Sequence, residues 1–133
     1  MKRAGFTMIE LIFVIVILGI LSAVALPKFI GVSEQAEAGK CKAFVGTLNR
    51  TVGPTIWSDA VLNDTTDLNN TTFWATGISN AITPPAKCGT AADFASVIDG
   101  STSFTKTIGS NDYNVSATAP STSEAPIWSW SQL

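Results

Sequence analysis

The stretch Gly5-Phe6-Thr7-Met8-Ile9-Glu10, running on into the apolar residues 11–26, decides how this chain is read. From Phe6 to Leu26 the only charged side chain is Glu10. These roughly 21 residues form a helix of about 31 Å at about 1.5 Å per residue, enough to cross a bilayer core of about 30 Å. A lone carboxylate near the start of such a helix is costly in lipid and by default marks function. Ahead of it stand Lys2 and Arg3. Positive charge tends to stay cytoplasmic, which would place the remainder outside. Ala23-Val24-Ala25 has the look of a signal-cleavage site but lies far into the run. Cleavage after Gly5 would instead keep the helix in the mature protein.

Working outward, Gly19, Ser22, Ala23 and Ala25 are small and would let neighbouring helices approach closely. Pro27 removes one backbone donor, and a kink or local opening of the helix is expected over Gly19 to Pro27. Residues 28–54 then read as an amphipathic continuation. Cys41, Phe44, Val45, Leu48 and Val52 fall on one helical face, and Phe29, Val32 and Ala36 make a second apolar patch. Glu34, Glu37, Lys40, Lys42 and Arg50 are the solvated residues, or alternatively partners for a neighbouring subunit. Gly53-Pro54 is expected to end or bend the helix, with a turn or two more up to Leu62.

The remaining residues, 55–133, read as one small head. Residues 63–90, rich in Asn and Thr and containing Pro84-Pro85, are expected to be loop, with a short element at 73–82. Residues 91–98 suit either a short helix or a strand. Residues 103–108 and 113–119 are strand-like around the turn signal Gly109-Ser110-Asn111-Asp112, although Lys106 spoils the alternation. Residues 127–131 alternate, with Trp128 and Trp130 on one face. The fold class is therefore α+β: a long N-terminal helix, apolar then amphipathic, packed on a small antiparallel sheet.

Composition narrows the function. The 133 residues carry a net charge of −2, without the basic footprint that nucleic acid requires. His is absent, which removes the commonest general base and metal ligand. No nucleophile motif or paired carboxylates appear, so an enzyme is not expected, nor a cofactor. Cys41 and Cys88 are too few for a zinc cage. They could form one disulfide if the head lies outside the cytoplasm, or Cys41 could be a buried thiol on the apolar face.

Residues Gly5-Phe6-Thr7-Met8-Ile9-Glu10-Leu11 resemble the leader and mature start of type IV pilins and type II secretion pseudopilins. The resemblance covers about the first 55 residues: a short basic leader, Gly, Phe, a Glu four residues after the Phe, a long apolar run and Pro27. The step Leu26-Pro27-Lys28-Phe29 and the run Gln35-Ala36-Glu37-Ala38 are also similar to mannose-sensitive haemagglutinin-type pilins. The resemblance implies a pilin fold, a leader of residues 1–5 and cleavage after Gly5 by a prepilin peptidase. It implies N-methylation of Phe6 as the new N-terminus. Glu10 would pair with the Phe6 amine of a neighbouring subunit, and Pro27 would mark the helix segment that kinks or melts within a filament.

The expected function is that of a structural subunit, held in the bacterial inner membrane as a precursor. An inner-membrane assembly platform would then polymerise it into an extracellular homo-oligomeric fibre. Alternatives are a periplasmic pseudopilus of a type II secretion or DNA-uptake machine, and a membrane-anchored periplasmic binding domain that never polymerises. Many pilins staple a C-terminal loop with two late cysteines; here a Cys41–Cys88 bond would tie the loop region to the helix instead. Asn69 and Asn114 sit in an acidic-x-Asn-x-Ser/Thr pattern that resembles bacterial glycosylation sites, against the simpler reading as turn residues. Trp57, Trp74, Trp128 and Trp130 could bind sugar or carry electrons, but read first as packing residues. Asp93, Asp99 and Asp112 lack the dense oxygen-ligand loop of a calcium site, so no metal is expected.

Overall fold

Helix α1 covers Met8–Thr47, and the helical run goes on through a π-helical turn at Leu48–Val52 into α2, Gly53–Asn63. A computed structural model describes residues 5–63 and 65–133. The leader positions Met1–Ala4, with Lys2 and Arg3, lie outside the described residues. By contacts the chain divides into two units, Met1–Gln35 and Ala36–Leu133. In the first, every side chain from Phe6 to Val32 is exposed, because an all-apolar helix has no polar face to turn outward and no other described residue of this unit packs on it. Its apolar window has a mean hydropathy of 2.9 and none of it is buried. The helix is continuous through Pro27.

In the second unit the expected apolar face is the core wall: Cys41, Phe44, Val45, Leu48 and Val52 are all buried, followed by Ile56 and Ala60. The run does not end at Gly53-Pro54. Pro54 falls in the first turn of α2, where a missing N–H is tolerated. The wide turn before it is closed by Gly53 N–H donating to Leu48 O. Gly53 is needed there: a Cβ would lie 2.7 Å from the Trp128 ring and 2.8 Å from Leu48 O.

The stretch 63–90, expected to be loop with a short element at 73–82, carries that element as a helix and adds a 3₁₀ turn before it, and residues 91–98, suited to either helix or strand, begin as a helix. A 3₁₀ turn spans Thr65–Asn69, α3 spans Thr71–Ala81 and α4 spans Ala91–Ser96. Its Asn and Thr residues cap helices instead of interrupting them. Asn70 Oδ1 accepts from Thr72 N and Phe73 N at 3.1 and 3.2 Å, and Thr90 with Asp93 forms a capping box on α4.

Strands β1, Ser103–Ile108, β2, Asn111–Ala117, and β3, Trp128–Gln132, form an antiparallel sheet in the order β1-β2-β3. Ile108 pairs with Asn111 across a two-residue turn whose first position, Gly109, has φ +64, as a type II′ hairpin turn requires. The alternation in β1 is intact after all. Phe104, Lys106 and Ile108 share the core face, and Lys106 lies along it while its ammonium reaches Asp93 at 3.3 Å. Phe94 links the layers, with ring centroids 5.0 Å from Phe44 and 5.3 Å from Phe104.

Candidate functional site

The candidate site is the start of α1. Thr7 is its N-cap and Glu10 its third helical residue, so the pair forms the reciprocal T-x-x-E arrangement of a capping box. Thr7 N–H donates to Glu10 Oε2 at 2.9 Å and the Thr7 hydroxyl donates to the same oxygen at 2.8 Å. Glu10 N–H in turn donates to Thr7 Oγ1 at 3.4 Å. Sequence reading singled out Glu10 and passed over Thr7, although the spacing of Thr7 and Glu10 is itself a readable capping signal. Both bonds fall on one oxygen of a carboxylate with about four lone-pair sites. The carboxylate is thus held in place by its own chain with accepting capacity to spare.

Around it Phe6 is 89% exposed, and Ile9, Leu11, Phe13 and Val14 form an apolar surface with no cover from the described residues of their unit. Gly5 is exposed. Gly19 has open space where a Cβ would be, and the Ser22 hydroxyl donates to Leu18 O at 2.7 Å, so that it presents no unmatched polar group to an apolar neighbour.

The prokaryotic N-terminal methylation motif matches residues 1–26. A type IV narrow pilus major component, PilA5 of Thermus thermophilus, is 49% identical over 43 residues. Both findings support a type IV pilin family. The match covers 32% of this chain and 37% of that relative, about a third of each. No solved structure matches the chain. The motif and the apolar helix fit a membrane-anchored precursor, and the family is structural rather than enzymatic.

The other positions singled out in the sequence are engaged locally. Cys41 and Cys88 are joined in a disulfide, with both residues fully buried, so the loop after α3 is tied to α1. Beside it Lys87 Nζ lies 2.7 Å from Glu37 Oε2. Asn69 is exposed at the end of the 3₁₀ turn, and Asn114 lies in the central strand between Thr105 and Ser131. Asp93 caps α4, Asp99 accepts from Ser101 and Asp112 accepts from Thr107, so the three do not converge. Among the described residues no group of three or more His, Cys, Asp or Glu side chains is placed to hold a metal ion. Trp57, Trp74 and Trp128 each donate their indole N–H to a backbone carbonyl, of Ser121, Leu68 and Phe94, and Trp130 stacks on Tyr113 with centroids 5.1 Å apart. These are packing roles.

Sequence reading also missed Asn49. Its side-chain amide donates to Trp128 O at 2.9 Å and accepts from Trp128 N at 2.8 Å. It mimics a strand neighbour and fastens β3 to the π turn.

Proposed function

We propose that the chain is a type IV prepilin, cleaved between Gly5 and Phe6, N-methylated at Phe6 and polymerised through α1 into an extracellular fibre. The single observation that carries the reading is Glu10 inside the methylation motif, on an apolar helix that no other described residue of its unit covers. Cleavage would create a cationic amine at Phe6, about one helical turn from Glu10. Glycine at the cut lets the peptide backbone approach a protease closely.

In lipid or in a filament interior, a charge without a counter-ion is strongly disfavoured. A subunit whose Phe6 amine meets the Glu10 of a neighbour satisfies both charges at one axial height only. The pairing therefore sets register, while burial of the exposed Ile, Leu, Val and Phe side chains supplies most of the driving force. The helix serves first as membrane anchor and then as filament core. The reading needs no catalytic residue, metal or cofactor.

N-terminal mass analysis of protein sheared from the cell surface tests it. The expected result is a chain beginning at Phe6 with one added methyl group, recovered from fibres visible by electron microscopy. An uncut N-terminus in such fibres overturns the reading. Fibres that appear only on overexpression and stay in the periplasm indicate a pseudopilus instead.

A further inference from the structure

The groove between α2 and α3 has a volume of about 680 Å³. Its floor is apolar, from Val52, Ile56 and Phe73. Gly77 brings α3 against Ile56, where a Cβ would come within 2.8 Å. Leu62 stands on the rim 82% exposed, with Asp59 beside it. In the other unit Phe29, Ile30 and Val32 are 72%, 61% and 62% exposed. Phe29 lies about 35 Å along the axis from Phe6 at about 1.5 Å per residue, past the roughly 30 Å that lipid covers. Both apolar surfaces therefore lack a partner that a bilayer would supply.

We infer that the α2–α3 groove of one copy receives residues 29–32 of a second copy, with Lys28 set against Asp59. The inference rests on the polymerising role above and names a contact within it. Three observations select this occupant. Neither Lys28 nor Asp59 has an ion pair among the described residues. Charge is segregated along the chain: residues 28–50 carry Lys28, Lys40, Lys42 and Arg50 against Glu34 and Glu37, whereas residues 51–133 carry seven acids against Lys87 and Lys106. A basic stem and an acidic head attract between copies and disfavour stem-to-stem or head-to-head contact at this height. Finally, every copy carries both surfaces, so a head-to-stem contact is heterologous, the kind of contact from which an open helical polymer is built.

Two measurements on the full-length protein test the contact. With the photo-crosslinker p-benzoylphenylalanine at position 29, irradiation of intact fibres is expected to give a dimer joined within residues 51–81. Dimers joined elsewhere, lipid adducts alone or no dimer overturn the inference. Lys28→Asp and Asp59→Lys are each expected to lower surface fibre yield about tenfold by setting like charges together, and the double exchange to restore it to within about twofold. Singles without effect, or a double no better than the singles, likewise overturn it. Retention of the Cys41–Cys88 bond by mass reports that each variant has folded. If the unaltered protein forms no fibre at all, it is the polymerising role itself that fails.

Discussion

The two units use the same side chains in opposite ways. In residues 6–32 the Ile, Leu, Val and Phe side chains are all exposed, from 41% at Ile17 to 89% at Phe6, whereas in residues 36–133 most of them are buried or lean on the core. Among its described residues the head contains its own partners: a disulfide, two ion pairs and three indole N–H groups that each find a carbonyl. The described residues of the first unit form a capping box, one Ser bond and otherwise unmatched apolar surface. Stability internal to the chain thus resides in the second unit, while the first offers apolar surface for association. A change in the first should alter assembly and leave folding alone; a change in the core of the second should alter folding first, whereas the rim of its groove at Asp59 is assigned to assembly.

The largest separation is expected at the N-terminus. Glu10→Val removes the one charge in the apolar run while improving its fit to lipid. Membrane insertion and leader cleavage should persist, and surface fibre should fall more than about 100-fold, since the amine on the adjoining subunit loses its counter-ion. Immunoblots of sheared and cell-bound fractions check this, and normal fibre yield would refute the role given to Glu10. Gly5→Leu should fail one step earlier, leaving precursor whose intact mass still includes residues 1–5.

In the head the largest effect falls on the disulfide. Cys41 and Cys88 are 47 residues apart, and a loop of that size stabilises by about 4 kcal/mol in the chain-entropy model. Cys88→Ser should lower the midpoint of thermal unfolding by about 15 °C or more, read from the tryptophan near-ultraviolet signal of the full chain in detergent. Membrane insertion should be untouched. A midpoint that moves by only a few degrees would show that the core alone holds the loop after α3.

Next in size comes the junction of the π turn with β3. Asn49→Ala leaves the Trp128 peptide with an unmatched N–H and C=O in a half-buried place, a loss of about 2 kcal/mol. Gly53→Ala sets a methyl group against the Trp128 ring and the Leu48 carbonyl and should cost about 1–3 kcal/mol. Denaturant midpoints measure both, and because the two changes meet at Trp128, the double variant should lose less than the sum.

How legible these features were follows from the range of the interactions. The membrane-length helix, the apolar face from Cys41 to Val52, the three strands and Glu10 are written in local periodicity or in a short motif, and the sequence shows them directly. In residues 63–90 the short element at 73–82 is legible, but its helical type and the 3₁₀ turn before it are not, because Asn and Thr serve both turns and N-caps. Only the packing of Trp74 and Ile78 into the core makes α3 a helix, and that information lies elsewhere in the chain. Lys106 broke an alternation because its charge was weighed without Asp93, thirteen positions away, which holds it. Asn49 and Trp128 are 79 residues apart, and no spacing rule joins them. At the candidate site Thr7 was legible and overlooked, since attention fell on the charge and not on the cap three residues before it.

The smallest expected effect tests whether the surface charges of the head contribute to its folding. Thr90 N–H donates to the Asp93 carboxylate, and this bond, opposed by partial burial and aided by Lys106, holds Asp93 below its ordinary value of 3.8. A carboxyl with a depressed folded-state pKa contributes stability that is present above its unfolded value and is lost as pH falls through the folded one. Its contribution is therefore constant at neutral pH and declines only below about pH 4. Asp93 and Lys106 are both about one-third exposed, so solvent screens the pair and the cap supplies most of the benefit. Asp93→Asn should cost about half a kcal/mol at pH 7 and nothing measurable near pH 2. Paired denaturant curves at the two pH values measure it. A loss that persists at pH 2 would place the effect in the shape of the cap and not in the charge of Asp93.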